Sequence, residues 1–175
     1  MGSHASQYAR DATAVMVALR RIVRLLRLAD RDAESAHGLS AAQLFVLHTL
    51  SKEPAISLSD LAQRTMTDQS SVSTVVTKLA ERRFVTRTSA KSDRRRTELR
   101  LTPSGERVVR AAPRVPQSMI GDVIAKMSSG ARADLVRSLE GFASAIGANE
   151  VAPRMLFEDE PNGRRRRSRK NDPAK

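Results

Sequence analysis

Between Asp68 and Gly105 the spacing of apolar residues changes period twice. Val72, Val75, Val76 and Leu79 recur at i, i+3, i+4 and i+7, a single stripe on a helix. From Phe84 to Ser89 and from Thr97 to Leu101 the period shortens towards two, with Val85, Leu99 and Leu101 apolar, as in two strands. At Thr102 a helix opens again, with Thr102 as N-cap and Pro103 in its first turn. Helix, hairpin and helix in so short a span leave few folds open. The hairpin tip is packed with Asp93, Arg94, Arg95 and Arg96.

Two more helix starts lie upstream. In LSAAQLFVLHTLS, Ser40 is an N-cap with Gln43 three residues on, a capping box, and Leu39 and Leu44 are placed as its hydrophobic staple. Leu44, Leu47 and Leu50 face inward, and Pro54 bounds the helix. ISLSDLAQRT repeats the pattern with Ser57, Asp60 and an Ile56–Leu61 staple on a helix of two to three turns. The apolar stripe of the next helix leaves Ser70, Thr74, Thr77 and Lys78 outside, with Ser71 and Ser73 at the edges. A short helix, a tight turn and a second helix with a small polar outer face read as helix-turn-helix, and the hairpin behind it as a wing.

Around this core the chain is helical. Residues 8–28 carry Val15, Leu19, Ile22, Val23 and Leu26 at helical spacing, followed by a polar loop over 29–38 that ends at Gly38. The helix after the wing runs to about Met127, kinked or broken by Pro113 and Pro116. A last helix, about Gly130 to Gly147, has Leu135, Leu139, Phe142 and Ile146 on one side. From Pro153 onward the chain reads as a loose tail, and RRRRSRK as a solvated, disordered charge block. The fold class is mainly α with a small β-hairpin wing.

Charge narrows the function. Residues 161–175 hold seven Lys and Arg against one Asp, so half of the net +12 lies there and half in the rest of the chain. A basic body seeks polyanions, nucleic acid or an anionic membrane. No apolar run approaches the roughly 18 residues of a membrane span. Without Cys there are no disulfides or thiolate metal sites, which suits a reducing compartment. MGSH reads as an expression remnant rather than a signal peptide. His37 and His48 lack a companion acidic cluster for a metal, and His48 reads as a helix-surface or pocket-lining residue. There is no Gly-flanked nucleophile and no Gly-rich phosphate loop, so neither an enzyme nor a cofactor is expected.

The order of helices, together with Asp93-x-Arg95, Leu101-Thr102 and Gly105 in SDRRRTELRLTPSG and with SSVSTVVTKLAERRFVTR, resembles the MarR family of bacterial winged-helix transcription regulators. The resemblance covers residues 8–148. It implies an intertwined helical homodimer: 5–38 a dimerisation helix and loop, 39–102 the winged helix-turn-helix, 103–150 C-terminal dimerisation helices, and 151–175 the basic tail, after a remnant at 1–4. It implies that recognition helices enter successive major grooves and that Arg95 reaches the minor groove, oriented by Asp93. It also implies release of DNA by a small, often aromatic, acid, at a pocket whose residues no motif marks, in a cytoplasmic, nucleoid-associated protein. Three departures stand out: Arg83 where the family has Gly at the end of the recognition helix, the two prolines, and the lack of any Cys for peroxide sensing.

Chemistry assigns the parts. Ser70, Ser71 and Ser73 can donate to phosphates at a positive helix end. Thr74 and Thr77 can meet thymine methyls or base edges, and Lys78 a guanine or a phosphate. Without a large bidentate reader, shape carries much of the specificity. A narrow A·T-rich minor groove attracts Arg95, while Arg87, Lys91, Arg94 and Arg96 follow phosphates. The expected function is a ligand-responsive repressor on a palindromic operator of double-stranded DNA. The alternative is a sequence-tolerant architectural DNA-binding protein.

Overall fold

The computed structural model describes residues 2–90, 93–151 and 154–157, with the backbone alone at 2–4, 89–90 and 93–97. The elements run α1 (Gly2–His37), α2 (Ala41–Lys52), α3 (Leu58–Thr65), α4 (Gln69–Glu81), β1 (Val85–Ala90), β2 (Asp93–Leu101), α5 (Pro103–Ala111), α6 (Pro116–Lys126) and α7 (Ser129–Ala145), then a 3-10 turn at Ala148–Glu150.

Helix α2 is the pillar, with nine of its twelve residues buried. Its capping box is made in full: Gln43 N–H donates to Ser40 Oγ at 3.3 Å, and Ser40 N–H to Gln43 Oε1 at 3.1 Å. Leu39 and Leu44 beside it are sealed in the core. Around α2 gather Leu61 of α3, the stripe Val72, Val75, Val76 and Leu79 of α4, and Val85 and Leu99 of the wing. β1 and β2 pair antiparallel, and Ala55 bridges to β2 alone, its N–H and C=O both bonded to Leu99.

Three expectations need correction. The polar stretch 29–38 is helix as far as His37, because Ala29, Ala33, Glu34 and Ala36 favour helix and Ala33 reaches the core. Gly38 at φ +61° is the stop. Ile56 is 55% exposed, so it is no staple; Asp60 draws its N–H instead, at 3.1 Å, and buried Ala55 fills the inner position. Finally, the segment after Pro153 is not wholly loose, since Met155 is buried and Phe157 packs on the core.

The prolines break the helix as expected. Ala112 and Val115, each just before a proline, are extended, and α6 restarts with Pro116 in its first turn. Beyond the break the molecule changes character. No residue of α7 is buried, and its stripe of Leu135, Leu139, Phe142 and Ile146 is open, as are Met119 and Val123 of α6 and Val15, Ile22 and Val23 of α1. No helix among the described residues is long and apolar enough to cross a membrane.

Candidate nucleic-acid interface

The two helices of the helix-turn-helix end in the same way. Thr67 N–H bonds Ala62 O and Met66 N–H bonds Gln63 O after α3; Phe84 N–H bonds Leu79 O and Arg83 N–H bonds Ala80 O after α4. This pair of bonds is the Schellman closure, whose left-handed residue is usually glycine. Here Met66 (φ +55°) and Arg83 (φ +59°) hold it. The closure after α3 leaves only Met66, Thr67 and Asp68 before α4 begins.

Ser57 caps α3, accepting from Asp60 N–H at 3.0 Å. Arg64 of α3 donates to the carbonyls of Thr49, Glu53 and Pro54, which closes the C-terminal end of α2. It fixes α3 against α2, a long-range role that no local pattern around Arg64 signals. Asp68 was also missed, although Asp before Gln-Ser-Ser is a plain cap signal. Its Oδ1 accepts from Ser71 N–H at 2.9 Å and from the Ser70 hydroxyl. The Ser70 hydrogen bond, then that of the Ser71 backbone, holds the Asp68 carboxyl far below the usual range.

The outer face of α4 is built nearly as its spacing foretold. Ser70 and Thr77 are exposed; Ser73, Thr74 and Lys78 are half-buried. Thr74 and Thr77 donate to the carbonyls of Ser70 and Ser73, a turn back, which occupies the hydroxyl protons. Ser71 must be removed from the set: it is 2% exposed, because it stands four residues before Val75 and eight before Leu79 and so shares their buried face. Its hydroxyl cannot reach a phosphate.

The wing is clamped to α4. Thr102 Oγ1 donates to Arg83 O at 2.7 Å and accepts from Gly105 N–H at 3.0 Å, while Thr102 N–H bonds Phe84 O. A Cβ on Gly105 would lie 2.2 Å from Phe84 O, so only glycine fits. Arg82 lies over the Phe84 ring at 5.1 Å and donates to Gly38 O. From β1, Arg87 donates to Thr77 Oγ1 at 2.7 Å, laying a guanidinium along the outer face of α4. At the tip, Ser89 pairs with Thr97 but Ala90 with Asp93, so the backbone of Arg94, Arg95 and Arg96 is skipped by the pairing. Lys91 and the basic segment at 161–175 lie outside the described residues, as do the side chains of Asp93, Arg94, Arg95 and Arg96.

A family model described as MarR family matches residues 37–96, the helix-turn-helix and most of the wing. An HTH-type transcriptional regulator of Mycobacterium bovis is 31% identical over 138 residues, 79% of this chain and 93% of that protein. The chain belongs to the MarR family. It is a DNA-binding transcription regulator, of a family that is not one of enzymes. Solved MarR-fold structures align over most of its length. The transcriptional regulator BldR of Sulfolobus solfataricus covers 77% of this chain and 96% of its own at a TM-score of 0.52 and 24% identity. A MepR-like protein complexed with pseudoligands covers 77% and 94% (0.51, 22%). Streptococcus pneumoniae FabT in complex with DNA covers 81% and 99% (0.51, 19%). At these identities the likeness is one of fold. The MarR-family winged helix is therefore the frame on which the residues above are hung.

Proposed function

We propose that this chain is a homodimeric repressor that binds a palindromic operator and releases it when a small ligand binds. The observation that carries the reading is the Arg87–Thr77 bond, which makes the wing and the recognition helix one basic surface. On that surface Ser70 and Ser73 meet phosphates, the outward Thr74 and Thr77 meet thymine methyls, and Lys78 meets a phosphate or guanine. Arg94, Arg95 and Arg96 stand where the strand pairing lapses, with Arg95 inserted in a narrow minor groove and Asp93 orienting it. The open apolar faces of α1, α6 and α7 supply the dimer interface, since contiguous apolar surface on this scale marks a contact site. Two recognition helices then meet half-sites about one helical turn apart.

Ligand response is supported by two cavities, of about 340 and 310 Å³, between α2, the turn before α4, and α6. They are of a size to take a small aromatic or acidic molecule at the joint between the DNA-reading unit and the dimerisation helices. The smaller one is polar, lined by His48, Lys52, Arg64 and Asp122. The half-net charge at 161–175 favours the architectural reading as the second choice, since such a segment adds affinity without sequence preference.

The test is fluorescence anisotropy of labelled DNA from the upstream region of the gene, beside random DNA, across a salt series. The expected outcome is binding about a thousandfold tighter to upstream DNA, lost in Arg95→Ala with its circular dichroism intact. Equal affinity for both DNAs would turn the choice to the architectural reading.

A further inference from the structure

Two buried polar atoms, Thr67 Oγ1 and Gln117 Oε1, have no hydrogen-bond partner, and both residues line the 340 Å³ cavity. Leaving such groups unbonded in a folded interior is costly. One wall of the cavity is the turn before α4, with Met66 and Thr67; another is α6, with Ile120 and Ile124. The third comes from beyond the last helix: Arg154, Met155 and Leu156. That short segment is seated firmly. Met155 is 6% exposed and belongs to the core, Gln117 Nε2 donates to Leu156 O at 3.4 Å, and Phe157 rests on the core at φ +61°. A phenylalanine in the left-handed region is strained, so the seat holds against a local tendency to let go.

We propose that Arg154–Phe157 is a lid on this cavity: a ligand enters by displacing Met155, and the displaced lid frees the turn before α4 from α6. The proposal rests on the ligand-responsive reading above and adds its moving part. It also narrows the ligand. An amide oxygen only accepts, so the molecule that satisfies Gln117 must bring an O–H or N–H on an otherwise apolar body.

The chain has no tryptophan, so Phe157→Trp sets a single reporter on the lid of the full-length protein. The probe is 8-anilinonaphthalene-1-sulfonate, an apolar ring system that carries one N–H and an anionic sulfonate. Expected is a blue-shifted tryptophan, quenched by acrylamide several-fold less than in the unfolded chain, with quenching rising as the probe binds. Met155→Ala, which weakens the lid, should bind the probe several-fold more tightly, because less of the binding energy goes into opening. A native reporter as accessible as the unfolded one would overturn the lid, and so would a probe that binds wild type and Met155→Ala alike. None of these readings uses DNA. A lid that opens in a protein whose operator binding no ligand alters would remove the effector role and leave the lid standing.

Discussion

Arg83 and Gly105 lie at the two ends of one hydrogen-bonded clamp, through Thr102, and each carries the opposite backbone problem. Arg83 sits at φ +59°, where an L residue costs about 1–2 kcal/mol. Arg83→Gly should relieve that strain and raise stability by about 1 kcal/mol after the extra freedom of glycine in the unfolded chain is counted, read as a higher urea midpoint at unchanged slope. Gly105→Ala should do the reverse. Its methyl meets Phe84 O at 2.2 Å, so the clamp must open, at a cost of at least about 2 kcal/mol in the same experiment. The strain at Arg83 was legible, because a residue other than glycine stands at a helix end. The need for Gly105 was legible only as a motif; the carbonyl that excludes a side chain there is that of Phe84, just before β1 and twenty-one residues away, in a contact no local pattern reports. Ser71 was misread for a simpler reason: at the edge of a stripe, one position decides between core and solvent.

At the scale of elements, the local grammar of the sequence served well. Capping boxes, X-Pro boundaries and apolar periods are decided within a few residues, so α2, α3, α4 and the α5–α6 break stand where they were expected. Apart from the Asp68 cap and the Ile56 staple, both local, what escaped was fixed by a distant partner: Arg64 across α2, and the extra helical turns of α1 against the core. Asp68→Ala should remove the cap of α4 and cost about 1 kcal/mol, seen as a lower urea midpoint. His48 joins α2 to the α5–α6 break, its Nε2–H on Pro113 O at 3.2 Å, with Lys52, Arg64, Arg114 and Asp122 around it. Burial, and then Arg114 and Lys52, push its pKa below the ordinary 6.5 despite the Pro113 bond. The unfolded chain therefore takes up the proton first. Stability from this group is whole above pH 6.5 and drains as pH falls below it. Urea unfolding at pH 7.5 and 5.5 should show that loss in wild type and a smaller one in His48→Gln.

The whole molecule divides into a winged unit that buries its own core and a set of helices that do not. Sequence periodicity marked the apolar sides of α1 and α7 but could not say what covers them, because a stripe looks the same whether its partner is in the chain or outside it. Under the dimer reading, Phe142→Asp places a charge in the interface and should yield a monomer by light scattering, with operator affinity lost while the winged unit keeps its circular dichroism. The bare surface of α7 has a further consequence. Under the same dimer reading, a helix of seventeen residues with no buried side chain in its own chain owes its persistence to the partner that covers it. Its melting temperature should climb with protein concentration, and occupancy of the operator should vary more steeply than linearly with copy number. Gene dosage would then be an input to the switch beside any ligand: for a dimeric repressor present below the level that saturates dimer and operator, halving the supply should cost more than half of the repression, as a reporter gene would read.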